Sequence, residues 1–215
     1  MDDKEPQHLA EAVDKLNLNY VVITSTTRDD LADGGAFHFI KTIRMLHGRR
    51  PGTYVEVLIP DFLGSSEAIR ALVESQPEVI NHNLETVPRL YPQVRPEADY
   101  SRSLSLLSSV KKLNPKIVTK SGLMLGLGEE TDEVLEVMKN LRNANCDLLT
   151  LGQYLPPSPG HLPLARYVSP EEFHELGVTA KKMGFAEVAS MPLVRSSFRA
   201  AELYRKAKTA KIAEQ

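Results

Sequence analysis

The chain of 215 residues contains a single cysteine, Cys146, and no tryptophan. One cysteine forms no intrachain disulfide and does not by itself hold a structural zinc or an iron–sulfur cluster, each of which takes about four ligands. Net charge is equally scarce: 26 Lys and Arg against 28 Asp and Glu leave −2, which gives no electrostatic reason to bind nucleic acid or an anionic membrane. No apolar run approaches the roughly 20 residues of a membrane span. The opening Met1-Asp2-Asp3-Lys4-Glu5-Pro6 has the layout of neither a secretory signal nor a transit peptide, so a cytoplasmic protein is expected. What remains is an ordinary globular composition, 42% hydrophobic and 25% charged, with enough apolar matter for one α/β core. A small molecule or another protein is the expected partner.

Apolar spacing alternates between two periods along the chain. Leu9, Val13 and Leu16 stripe a first helix behind Pro6, and Tyr20 to Ser25 is a β-branched and aromatic run of the kind buried on both faces. Phe39, Ile43 and Leu46 mark the next helix, ended by Gly48 and Pro51; Tyr54 to Ile59 is a strand, and Ile69, Leu72 and Val73 a helix. Strands over Glu78 to Asn81, Ile117 to Leu125, Asp147 to Leu151 and Phe185 to Ala189 follow, separated by helical stripes at Leu106, Val110 and Leu113, at Val134, Val137, Met138 and Leu141, and at Phe173, Leu176, Ala180 and Met183. Four prolines between 156 and 163 make a loop, and Ser169-Pro170-Glu171-Glu172 has the order of a capping box. Gly184 suits the left-handed residue that ends the helix, and a Lys- and Arg-rich helix closes the chain. Such alternation favours a mostly parallel sheet. With no GxGxxG after the first strand, a barrel or partial barrel is favoured over a doubly wound dinucleotide fold.

Chemistry on such a sheet collects at the C-terminal strand ends. The first strand runs into Arg28-Asp29-Asp30-Leu31-Ala32-Asp33-Gly34-Gly35, which reads either as a metal or polar-ligand site or as a capped loop. Beyond the third, alternation puts Asn81, Asn83 and Glu85 on one face, where two amides and a carboxylate suit a vicinal diol such as ribose; the alternative is a strand-to-helix cap. His82, on the other face, reads as a satisfied buried histidine. In Lys120-Ser121-Gly122-Leu123-Met124-Leu125-Gly126-Leu127-Gly128-Glu129, the glycines admit close approach to the backbone and the interleaved Leu and Met offer an apolar surface to a flat ring. Ser196 and Ser197 read in isolation as helix caps, and Cys146 as a small buried residue.

Together these segments resemble the lipoyl synthases, a family of radical S-adenosylmethionine enzymes. The matching stretches are Tyr20 to Ser25 with Arg28 to Gly35, Asn81-His82-Asn83-Leu84-Glu85-Thr86-Val87-Pro88, Val94-Arg95-Pro96, Thr119 to Glu129, Leu149 to Leu155 and Arg195-Ser196-Ser197-Phe198, in the family's order over roughly residues 6 to 204. The resemblance implies an α/β partial (β/α) barrel and insertion of two sulfur atoms, at C6 and C8, into an octanoyl group carried on a protein. The partner it implies is an octanoylated lipoyl carrier protein, either the glycine cleavage H protein or a 2-oxoacid dehydrogenase E2 domain. It also implies S-adenosylmethionine as cofactor, with Asn83 and Glu85 matching a ribose-binding pair also found in biotin synthase. Gly122, Gly126 and Glu129 match the adenine-side glycine motif, and Lys120 becomes a candidate for the cofactor's carboxylate. One serine of Ser196 and Ser197 would be an oxygen ligand of an auxiliary [4Fe–4S] cluster.

The sequence departs from the family in its cysteines. The family carries CxxxCxxC and CxxxxCxxxxxC motifs for its two [4Fe–4S] clusters, and neither is present. Thr26-Thr27 stands where a Val-Asp pair is usual, and Met191 where a Gly is usual. The expectation is therefore a single radical-enzyme-like domain over 1–204, N-terminally truncated and lacking the first barrel strand, with a basic tail at 205–215. It should be inactive alone, with Tyr20 to Ser25 as an exposed apolar edge. Two other readings are a cluster-free module that binds S-adenosylmethionine or a lipoyl carrier protein, and a barrel enzyme using Arg28 with Asp29, Asp30 and Asp33.

Overall fold

In the computed structural model, which describes residues 2–213 with side chains through 209, six strands form one parallel sheet in the order β1-β2-β3-β4-β5-β6. They are β1 (Tyr20–Thr24), β2 (Tyr54–Leu58), β3 (Val79–Asn81), β4 (Val118–Leu125), β5 (Leu148–Gln153) and β6 (Glu187–Ser190). The helices are α1 (Glu5–Lys15), α2 (Ala36–Arg49), α3 (Ser66–Glu74), α4 (Tyr91–Val94), α5 (Tyr100–Leu113), α6 (Thr131–Asn143), α7 (Pro170–Lys182) and α8 (Ala200–Ala213). Strand order equal to chain order means that every crossover advances the same way. With right-handed crossovers this puts the connecting helices on one face and curves the sheet toward a barrel. Among the described residues β1 and β6 do not pair, so the sheet is open.

The large core lies on the outer, helix-covered face. Ile43 and Leu46 of α2, Leu72 of α3, Leu106 and Leu107 of α5, Val137, Met138 and Leu141 of α6 and Phe173 of α7 are buried there, with Val55, Ile80, Leu123, Leu149 and Leu151 facing them from the strands. The helical stripes anticipated from the sequence are those buried faces. Within them Leu9, Leu176 and Met183 are half-buried, and Leu16 and Leu113 are exposed. Gly48 does not end its helix but lies inside the last turn of α2.

The inner face has a smaller core. Val79, Val118, Leu148 and Ala189 pack against Leu203, Tyr204 and Ala207 of α8. The Tyr204 ring lies 5.1 Å from that of Tyr54 and 6.0 Å from that of Tyr20. Because Tyr20, Tyr54, Val79 and Val118 begin or nearly begin their strands, α8 fills the bottom of the concave face and leaves its C-terminal strand end to other groups. The expected boundary at 204 falls inside α8, so the basic residues that follow continue this helix; residues 214 and 215 lie outside the described residues.

β1 is less buried than its composition suggested. Among the described residues it pairs only with β2, and although Val21 is buried, Val22 and Ile23 are half-buried and Thr24 is exposed. A run of β-branched residues reads alike for a central strand and for an edge, because period carries no information about the number of neighbours.

The capping box of α7 forms as its sequence order requires: Ser169 Oγ accepts from Glu172 N at 3.1 Å, and the Glu172 carboxylate accepts from Ser169 N at 3.3 Å. Replacing Ser169 by Ala should cost about 1 kcal/mol. Leu141→Ala, which empties a fully buried site, should cost about 2–5 kcal/mol. Urea unfolding at constant m-value checks both, and an equal loss for the two would contradict this division between cap and core.

Candidate functional site

After β3 ends at Asn81 the chain stays close to β4 along an irregular path. His82 N donates to Lys120 O, Glu85 N donates to Gly122 O at 2.9 Å, and Met124 N donates to Glu85 O at 2.8 Å. This path requires Glu85 to take φ of +66°, a left-handed conformation that a non-glycine residue adopts at a cost of about 1 kcal/mol or more. The result points Asn83 and Glu85 to the inner face. Asn83 Nδ2 donates to Glu85 Oε1 at 2.9 Å and to Ser196 Oγ at 2.6 Å, while Asn83 Oδ1 is buried with no partner. Burial pushes the Glu85 carboxyl above the usual carboxylate range, opposed by the Asn83 hydrogen bond and by the charge of Arg95.

Opposite this pair Gly122 lets the neighbouring strand and Asn83 approach the β4 backbone closely. A Cβ on Gly122 would come within 2.6 Å of Thr150 Oγ1 and 3.0 Å of Asn83 Oδ1. Asn83, Glu85, Gly122, Met124, Thr150, Gly152 and Ser196 thus border a cavity of about 190 Å³ at the C-terminal strand ends. A buried acceptor without a partner beside a carboxylate calls for hydroxyl donors. A ribose diol supplies two.

Two groups missed from the sequence hold this turn. Arg95 Nη1 donates to Asn83 O at 3.1 Å and to Leu84 O at 3.4 Å, and Tyr91 Oη donates to Leu84 O at 2.8 Å. The Arg95 guanidinium also lies over the Tyr91 ring. Arg95 stood in a recognisable motif, but nothing in its spacing tells that its targets are backbone carbonyls. His82 is the satisfied buried residue anticipated. Its Nδ1 donates to Ile59 O and its Nε2 accepts from Ser103 Oγ, both at 2.9 Å. Burial is the main cause that lowers its pKa to about 4.

The other sequence candidates are engaged by the protein itself. Lys120 is fully buried and donates to Glu56 Oε1 at 2.8 Å and to Ser196 O, so it lies beneath the cavity wall. Asn81, expected beside Asn83 and Glu85, instead donates from Nδ2 to Glu56 Oε1 at 3.3 Å. The Glu129 carboxylate accepts from Gly126 N at 2.6 Å and Leu127 N at 2.9 Å, closing the glycine turn. What approaches Gly126 is the protein: an added Cβ would meet Gln153 Nε2 at 2.3 Å and Arg166 O at 2.5 Å. Leu123 and Leu125 belong to the outer core, which leaves Met124 as the apolar side chain of that strand turned toward the cavity. Ser196 is in the site and Ser197 is exposed.

The acidic loop after β1 resolves as a cap. Arg28 pairs with Asp30, and Asp33 accepts from Gly35 N at 3.0 Å and Phe37 N at 2.7 Å at the start of α2. Among the described residues no three His, Cys, Asp or Glu side chains are grouped to hold a metal ion. Cys146 is buried, and burial pushes its thiol up to about 12. A [4Fe–4S] cluster therefore does not fit the described residues, whereas the unpaired Asn83 Oδ1 and the Glu85 carboxylate are acceptors of the kind a hydroxyl-bearing ligand needs.

Residues 1–141 match the family model of the Radical SAM superfamily. The chain is 59% identical over 200 residues to a lipoyl synthase of Caldanaerobacter subterraneus subsp. tengcongensis, covering 93% of this chain and 70% of that protein. It is 55% identical over 206 residues to a lipoyl synthase of Alkaliphilus metalliredigens, covering 96% and 71%. In fold it is similar to HydG, a maturase of the [FeFe]-hydrogenase, with a TM-score of 0.71 at 13% identity over 96% of this chain and 48% of that one. A second likeness is to methylornithine synthase, TM-score 0.60 at 12% identity over 91% and 64%.

The environment of His82 makes stability depend on pH. Its folded pKa of about 4 lies below the ordinary histidine value of 6.5, so between these values the unfolded chain binds more protons. The stabilisation is complete above about pH 6.5 and is lost as pH falls toward about 4. Urea unfolding at a series of pH values should show a shallower slope in this window for His82→Gln than for the parent chain. Equal slopes would contradict the buried neutral imidazole.

Proposed function

Since the chain belongs to the lipoyl synthase family of the Radical SAM superfamily, we propose that it forms the S-adenosylmethionine-binding face of an enzyme that inserts sulfur at C6 and C8 of a protein-bound octanoyl group. The observation that carries this reading is the buried, partnerless Asn83 Oδ1 beside Glu85 and above Gly122. When bound, S-adenosylmethionine supplies the radical that activates unreactive C–H bonds. The chain's own residues bind and orient its nucleoside. Asn83 Oδ1 and the Glu85 carboxylate accept from the ribose hydroxyls, Met124 offers an apolar contact, and Gly122 lets Asn83 sit close against β4. The octanoyl chain arrives on a lipoyl carrier protein at the same strand ends, in keeping with the placement of ligand sites on such sheets.

The cluster ligands are not among these residues. A single buried cysteine with a raised pKa is neither accessible nor a thiolate, so the chain by itself does not perform cluster-dependent sulfur insertion. This is also what favours the second reading, a cluster-free nucleoside-binding module.

Calorimetric titration of the isolated chain with S-adenosylmethionine should give saturable binding that weakens about tenfold or more in Asn83→Ala, the loss of roughly one charge-free hydrogen bond and its buried partner. Binding unaffected by Asn83→Ala and Glu85→Gln would place the nucleoside elsewhere. Anaerobic incubation with iron and sulfide should leave the chain without a stable [4Fe–4S] absorption band. Appearance of that band would refute the inactivity of the chain on its own.

A further inference from the structure

Between β6 and α8 the chain runs across the tips of the inner face. Gln153 N donates to Pro192 O at 3.0 Å, and a Cβ on Gly152 would meet Val194 O at 2.2 Å, so residues 192–194 lie flat on β5. Ser196 then reaches β4 and the end of β3 at once. Its carbonyl accepts from Lys120 Nζ and its hydroxyl from Asn83 Nδ2. Beneath it, Lys120 and Glu56 form an ion pair in which both side chains are 0% exposed. Glu56 is fixed in turn by Tyr20 Oη, which donates to Oε2 at 2.5 Å, and by Asn81 Nδ2.

A fully buried pair across three strands is costly to desolvate and is weak evidence for a gain in stability. Its geometry has a different use. Among the described residues the ammonium is the one side-chain group of the inner core that hydrogen-bonds the backbone of the crossing segment, and Glu56 sets its direction. The geometry points to Lys120 as a positioning residue that acts through Ser196: it holds the 191–199 segment over the cavity, so that the Ser196 hydroxyl orients the Asn83 amide toward the nucleoside. This rests on the nucleoside reading of the cavity and replaces a direct contact between Lys120 and the ligand. Asn83 has one amide to orient. With its Nδ2 donating to Ser196 and Glu85, its Oδ1 is left without a partner beside Gly122.

The experiment compares the parent chain with the double variant Glu56→Gln/Lys120→Met, which removes both charges and keeps an acceptor for Tyr20. Hydrogen exchange read by mass spectrometry should accelerate about tenfold or more in peptides covering 192–199 while β2 to β5 keep their protection. The affinity for S-adenosylhomocysteine, used as a cluster-independent nucleoside probe, should fall about tenfold. A folded variant with unchanged exchange in 192–199 overturns the inference, as does a loosened segment with undiminished affinity. If the parent chain itself fails to bind the probe while the segment loosens in the variant, the nucleoside reading falls and the attachment of the segment by Lys120 stands. Should the double variant not fold, the parent chain still decides: NMR with labelled lysine and serine should show a scalar coupling between Lys120 Nζ and the Ser196 carbonyl carbon, and a slowly exchanging Lys120 ammonium without that coupling overturns the inference.

Discussion

The buried pair of Lys120 and Glu56 divides the concave face of this sheet into two regions. On one side, aromatic rings from β1 and β2 stack against α8. On the other, amides, a carboxylate and a serine meet around an open space. Neither region makes sense without the boundary. Apolar packing at the base leaves no place for water to solvate the pair, so its charges are satisfied by each other, by a tyrosine, by an asparagine and by the carbonyl of the crossing segment. The polar groups above are then anchored to something rigid.

Much of the architecture follows from spacing. Each strand and each outer helix except the short α4 is announced by its apolar period, and their alternation excludes most arrangements other than a parallel sheet with one-sided crossovers. The capping box of α7 is equally local, whereas the satisfied histidine at 82 was anticipated only as a general tendency, its partners Ile59 and Ser103 lying on other elements. The edge position of β1 was expected from the family resemblance and not from its apolar run, because no local signal counts neighbouring strands.

The site was legible in part. Asn83, Glu85, Gly122 and Ser196 come together as their motifs suggest. Lys120, Gly126 and Glu129 share the same motif yet serve the protein's own backbone and side chains. Glu56 escaped notice altogether. It sits alone in an apolar strand, 64 residues from the lysine that neutralises it, and only the sheet brings the two together. A lone carboxylate in one doubly covered strand and a lone ammonium in another are a pairing signal, but without the strand order many pairings are open. Arg95 shows the same limit from the other direction, because a side chain that serves carbonyls leaves no complementary residue in the sequence.

The backbone at Glu85 carries a consequence for how this chain would change under different pressures. At φ of +66° a glycine would relieve the conformational cost, and stabilising replacements of this kind are easily found in natural proteins. A lineage or a library selected for heat resistance alone would be drawn toward discarding the carboxylate at this position, and its persistence would record a demand other than folding. Residue 85 is thus a place where durability and chemistry select for different amino acids.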